Sequence, residues 1–87
     1  MTDFTTAVQD VVRTIPPGST MTYQAVATTA GYPRAARAVA QVMARNFDPA
    51  IPCHRIIRSD GSLGGYNRGG PEVKAALLHN EGWLAHS

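Results

Sequence analysis

Eighty-seven residues, 44% of them hydrophobic and 16% charged, suffice for one domain around one core and exclude a disordered chain. A single cysteine excludes an intramolecular disulfide and does not support a cysteine-built zinc site. No apolar run reaches membrane-spanning length, and Met1-Thr2-Asp3-Phe4 lacks a signal pattern, so a cytoplasmic protein with a free thiol and no membrane partner is expected.

The net charge is only +2, but it is unevenly placed. Arg34, Arg37, Arg45, Arg55, Arg58 and Arg68 face only Asp48 and Asp60 across residues 34–68, while the remainder is net acidic. Arginine in such a block suits phosphates and base edges, although a solvated basic face has the same composition.

Residues 3–15 read as an amphipathic helix. Phe4, Ala7, Val8, Val11, Val12 and Ile15 recur at three- and four-residue steps, Thr2 or Asp3 can cap the start, and Pro16-Pro17-Gly18 stops it. A second helix follows Ser19-Thr20-Met21, with Thr22 as N-cap, an apolar stripe of Tyr23, Val26, Ala27 and Ala30, and Gly31 at the left-handed C′ position. A third begins at about Arg34 and runs to Arg45. Val39, Val42 and Met43 can face inward, while Arg34, Ala35, Arg37, Ala38 and Gln41 look out. Two helices joined by so tight a turn read as a helix-turn-helix. The outward face of the third is small, with alanine between arginines. Helix propensity alone accounts for that, and so does close approach to a ligand.

After the loop Asn46-Phe47-Asp48-Pro49-Ala50 comes Ile51-Pro52-Cys53-His54-Arg55. A thiol beside an imidazole is the minimum for an activated sulfur nucleophile. Proline in front predicts a stiff, extended entry into Cys53. A lone cysteine is more often a small buried hydrophobe, but such a residue seldom neighbours both His and Arg. Ile56-Ile57-Arg58 is a short strand signal, and Ser59-Asp60-Gly61-Ser62 a turn, with Leu63 starting a return strand to make a small hairpin. Gly64-Gly65-Tyr66-Asn67-Arg68-Gly69-Gly70 demands tight bends or a close approach. The last helix starts near Pro71-Glu72, packs Val73, Ala76 and Leu77 inward, and ends at Gly82 as C′. Glu81 is oddly placed, since an acid is unfavourable at a helix C-terminus.

Tyr23-Gln24, Arg34-Ala35-Ala36-Arg37-Ala38-Val39, Asn46, Ile51-Pro52-Cys53-His54-Arg55-Ile56-Ile57, Gly64-Gly65-Tyr66 and Glu81-Gly82 occur in the order found in O6-alkylguanine-DNA alkyltransferases. From about Phe4 to Trp83 the chain resembles that family's C-terminal, active-site domain. The resemblance implies a mainly α, winged-helix-like domain spanning 1–87, with a helix-turn-helix and a short β-hairpin wing and without the family's N-terminal domain. No cofactor and no metal are implied. The partner is double-stranded DNA containing O6-alkylguanine, bound by a monomer through the minor groove.

The implied roles follow residue by residue. Cys53 attacks the alkyl carbon, His54 takes the thiol proton through a water, Glu81 orients His54, and Asn46 braces the nearby turn. Tyr66 and Asn67 contact the base, Tyr66 by donating to the guanine. Tyr23, Arg34, Ala35, Arg37, Ala38 and Arg55 contact DNA. Among them Arg37 enters the stack as the nucleotide is flipped out, and Tyr23 crowds the adjacent phosphate. Ala40 stands where many members have glycine. A second reading has the same fold: alkyltransferase-like proteins are short, recognise O6-alkylguanine without repairing it and recruit nucleotide excision repair. They typically lack the cysteine that this chain keeps.

Overall fold

The computed structural model describes residues 3–46, 48, 50–64, 66 and 69–83. Helix α1 spans Phe4–Arg13. The Asp3 carboxylate caps it, accepting the Thr6 N–H at 2.7 Å. Val8 and Val12 face the core. The helix stops two residues short of the expected Ile15, because Thr14 and Ile15 donate to the carbonyls of Val11 and Val12 in tightened, three-residue bonds before the prolines. Ile15 is buried all the same.

Strand β1, Met21–Thr22, runs directly into helix α2, Tyr23–Thr29. Thr22 Oγ1 accepts the Ala25 N–H at 3.0 Å, the expected N-cap. At the other end Tyr32 N–H donates to Ala27 O and Gly31 N–H to Thr28 O, with Gly31 at φ +95°. That is a Schellman cap, and it needs the residue without a Cβ. The Gln24 side chain donates to Thr28 Oγ1 and to Pro33 O, pinning the turn. A further turn, closed by Ala35 N–H to Tyr32 O, delays helix α3 to Ala36–Ala44, with Arg34 ahead of it. Val39 and Met43 are buried against α2 and α1.

A short 3-10 turn, Cys53–Arg55, leads into strand β2, Ile56–Ile57. Here the fold differs from the expected hairpin. β2 pairs in parallel with β1, Met21 opposite Ile56 and Thr22 opposite Ile57. The 59–62 turn does form: Gly61 N–H donates to Arg58 O, and Arg58 N–H to Ser62 O. Among the described residues no return strand follows, and Gly64 at φ +73° breaks the extended run. Ile56 is wholly buried, and the pairing joins the cysteine turn to the base of the helix-turn-helix.

Helix α4 spans Gly70–Asn80. Its inward face is also not the expected one. Val73 is 40% exposed and Ala76 is exposed, whereas Lys74 and Leu78 are fully buried. Lys74, Leu78 and Glu81 follow one another at helical spacing, so the phase that brings Glu81 to the site also turns Lys74 inward. The core comprises Val8, Val12, Ile15, Val26, Ala27, Val39, Met43, Ile51, Cys53 and Ile56. No helix among the described residues is long and apolar enough to cross a membrane.

Candidate active site

Pro52 does not present Cys53 from an extended backbone. It sits at φ −79°, ψ 67°, and Cys53 N–H donates to Ile51 O at 2.8 Å, an inverse γ-turn. Arg55 N–H then donates to Pro52 O at 3.0 Å, and Ile56 N–H to Cys53 O, completing the 3-10 turn. With three residues per turn, consecutive side chains fan out in three directions. Cys53 lines one cavity while His54 and Arg55 turn to Glu81. A bare strand would have pointed Cys53 and Arg55 the same way.

The cavity holds about 410 Å³, within the range of small-molecule sites. Cys53 shares its wall with Tyr23, Ala40, Met43, Ala44, Arg58 and Tyr66. Cys53 is 5% exposed and belongs to the core as much as to the cavity. Close packing continues at Gly64, where a Cβ would stand 3.4 Å from Arg58 Nε and 3.6 Å from the Tyr23 hydroxyl.

Glu81 is the C-cap of α4. Trp83 N–H donates to Leu78 O and Gly82 N–H to His79 O, a second Schellman motif, with Gly82 at φ +91°. An acid there meets the negative end of the helix, and the cost is offset by two partners. Arg55 binds the carboxylate through two nitrogens, Nε to Oε1 at 2.9 Å and Nη2 to Oε2 at 2.6 Å. His54 Nε2 lies 2.9 Å from Oε2. The Arg55 bonds above all, with His54 adding to them against the effect of burial, hold the Glu81 carboxyl down at about 2. The same pairing raises Arg55 further above its ordinary value. An ionised carboxylate can only accept, so His54 Nε2 carries the hydrogen and Nδ1 is left as the acceptor of the neutral ring. Gly18 closes the far side: a Cβ there would stand 3.0 Å from Glu81 O, in a backbone at φ +86°.

The other expected site residues divide between this centre and the surface. Asn46 is buried. Its Nδ2 donates to Ile51 O at 3.4 Å, and its Oδ1 accepts the Asp48 N–H at 3.3 Å, tying together the loop that leads to Pro52. Tyr66 stands edge-on to His54, ring centroids 6.5 Å apart. Tyr23 is half-buried on the cavity wall, and burial raises its phenol above the ordinary value. Arg34 and Arg37 are exposed, and Ala35 and Ala38 half-buried, at the start of α3. Asn67, Arg68, Phe47, Pro49, Gly65 and Leu84 lie outside the described residues.

Arg55 departs from its expected place on a DNA-contacting surface. Besides its two bonds to Glu81 it donates through Nη1 to Ile15 O at 2.8 Å, so the guanidinium is committed inward. Two further residues reach the site without a sequence motif to announce them. Arg58 joins the cavity from the end of β2. Lys74 is fully buried, with its ammonium 5.8 Å from the Tyr23 ring centroid. Burial brings it down to about 8, Cys53 opposing the shift and Arg58 adding to it. Its spacing from Leu78 and Glu81 was the available signal. Among the described residues, no three His, Cys, Asp or Glu side chains cluster as a metal-ligand set.

Residues 3–83 match the family model described as "6-O-methylguanine DNA methyltransferase, DNA binding domain". The chain belongs to this family. It is 50% identical over 82 residues to the methylated-DNA--protein-cysteine methyltransferase of Methanothermobacter thermautotrophicus, covering 93% of this chain and 45% of that protein. It is 48% identical over 81 residues to the bifunctional transcriptional activator/DNA repair enzyme Ada of Escherichia coli, covering 92% of this chain and 23% of that one. The chain thus spans less than half the length of either relative.

Among solved structures, Mycobacterium tuberculosis OGT in complex with DNA superposes with a TM-score of 0.87 at 42% identity, over 94% of this chain and 50% of that one. S. pombe ATL in complex with DNA gives 0.81 at 35% identity, over 97% of this chain and 80% of that one. The fold is therefore the mainly helical, helix-turn-helix domain of these proteins.

Proposed function

We propose that this chain is a cytoplasmic DNA repair protein that binds duplex DNA through α2 and α3 and transfers the alkyl group of O6-alkylguanine to Cys53. The observation that carries the reading is the junction of a buried thiol, lining a cavity, with an imidazole whose Nε2 is held by an ionised carboxylate. A thiol next in the chain to an imidazole that a carboxylate holds supplies the parts of an activated nucleophile. DNA complexes of the family members described above support the binding half of the proposal.

The alkylated base is inaccessible within a stacked duplex and has to leave it to meet a buried sulfur. Arg37, exposed near the N-terminus of α3, occupies the gap that the base leaves, and Tyr23 crowds the neighbouring phosphate. The thiol proton passes to His54, through a water as the resemblance implies. Sulfur forms its bond to the alkyl carbon as the bond from that carbon to O6 breaks. The bonding pair goes to the guanine, which takes up a proton supplied by Tyr66, and the proton that His54 took from the thiol is returned through solvent to restore the phenol. Thiol and O6-alkylguanine become thioether and guanine. A thioether is a poor leaving group, so each molecule reacts once.

One observation favours a second reading, lesion binding without transfer and recruitment of nucleotide excision repair. The chain superposes on S. pombe Atl1, solved with damaged DNA containing O6-carboxymethylguanine, with a TM-score of 0.83 at 33% identity. Weighing the intact protein after incubation with an O6-methylguanine oligonucleotide separates the two. Transfer adds one methyl mass on Cys53, once per molecule. Tight binding with no gain in mass overturns transfer and leaves lesion recognition.

A further inference from the structure

We propose that Arg55 is a positioning residue for the proton acceptor: it fixes the Glu81 carboxylate so that His54 keeps its hydrogen on Nε2, and its charge offsets the carboxylate that would otherwise draw a second proton onto the ring. The proposal deepens the transfer reading and rests on it. Its basis is geometric. Nε and Nη2 hold both oxygens of Glu81 at 2.9 and 2.6 Å, and Nη1 anchors the same guanidinium to Ile15 O beyond the end of α1 at 2.8 Å. Three segments of chain therefore meet at one guanidinium: the Cys53–Arg55 turn, the C-cap of α4 and the stretch after α1. Gly18 in that stretch also abuts Glu81 O.

Oε2 is shared. It accepts from Arg55 Nη2 and from His54 Nε2. A carboxylate bound to imidazole alone favours the imidazolium, which cannot accept a thiol proton. The guanidinium beside it opposes that bias while the hydrogen bond is kept. Among the described residues, His54 meets Glu81 from the α4 cap and the Tyr66 ring from the segment before α4, with Arg55 and Cys53 its neighbours in the turn. Lys74 of α4 has Tyr23, Cys53 and Arg58 as its neighbours. Arg55 is thus the cation bonded to the carboxylate that His54 uses.

The test is a pH profile of reaction with free O6-benzylguanine, which needs no base flipping, for wild type, Arg55→Lys and Arg55→Gln. It is paired with nitrogen-detected NMR of the His54 ring in the full chain. Arg55→Gln is expected to slow transfer at neutral pH by roughly tenfold or more. It should also move the acidic limb of the profile, and proton uptake by the His54 ring, to higher pH by about one unit. Arg55→Lys, which keeps charge but not the two-nitrogen grip, falls between. Ring titrations that superimpose in all three proteins overturn the proposal, even if the variants react slowly. Should the variants fail to fold, the wild-type spectrum decides: hydrogen on Nε2 of the neutral ring supports it, and hydrogen on Nδ1 overturns it. A wild type that never alkylates defeats the transfer reading, while the NMR result still judges Arg55.

Discussion

Arg55, two residues after Cys53, donates to Glu81 and Ile15 through three nitrogens, and its side chain is 14% exposed. Arg34 and Arg37, at the start of α3, are exposed and make no ion pair among the described residues. The same residue type thus serves two regions in opposite ways. Around Glu81 the polar side chains of His54 and Arg55 are bonded within the protein, so replacing one leaves another uncompensated. On the helix-turn-helix the fold is held by backbone caps and by Val26, Ala27, Val39 and Met43, and the arginines are left for an outside partner. Stability and function should therefore be coupled in the first region and separable in the second.

The strongest challenge to that contrast is Cys53→Ser. It should abolish alkyl transfer, read as no gain of mass, while lesion binding stays nearly intact. An alcohol is far less acidic than a thiol, and the change in shape is slight. Transfer to the serine protein would mean that the sulfur is not the acceptor.

Glu81→Gln should cost about 3 kcal/mol in chemical denaturation, because it leaves Arg55 charged, nearly buried and without its carboxylate. The pH dependence has a definite sign. Glu81 titrates at about 2 in the fold against 4.5 ordinarily, so its contribution is fully present above 4.5 and is lost as pH falls toward 2. Wild type should weaken across that window and the glutamine variant should not. Parallel losses in both would place the acid sensitivity elsewhere.

Lys74→Met should raise stability near neutral pH by on the order of 2 kcal/mol, since burying an ammonium costs more than burying a thioether. Lys74 has its value lowered from 10.5 to about 8, so the unfolded chain holds that proton more tightly between the two. The cost is full below pH 8 and fades as pH rises toward 10.5, so the gap between variant and wild type should close over that range. A gap that is constant with pH would remove the charge from the explanation.

Arg37→Ala should change stability by less than about 0.5 kcal/mol, the smallest effect of the four. It should nevertheless weaken binding to lesion-containing duplex by about tenfold and slow transfer from it, with reaction of free O6-benzylguanine little affected. Equal losses on duplex and free base would argue against a role in base extrusion and blur the separation between the regions.

Much of this was legible in the chain because it is local. Asp3 and Thr22 as caps, Gly31 and Gly82 at C′, and the apolar stripes of α1 and α3 depend on residues within a turn or two of each other. Cys53 beside His54 is a motif in the sequence itself, and the order of Tyr23, Arg37, Asn46, Cys53, Tyr66 and Glu81 carried the family resemblance. Other features depend on contacts between distant segments. The sequence signals for β2 do not specify its partner, and a turn after it suggested a hairpin; burial of Ile56 against the core and the break at Gly64 gave a parallel pairing with β1 instead. Helix phase misled at α4, where Val73 and Ala76 are as apolar as an inward face requires. The phase was set by Glu81 reaching Arg55 and His54, which lie 26 and 27 residues away. Composition put Arg55 among the DNA contacts because arginine is suited to phosphate. Only the tertiary fold could bring a carboxylate to it first, since a charge is neutralised by whatever opposite charge the fold places nearest, however far apart the two lie in the sequence.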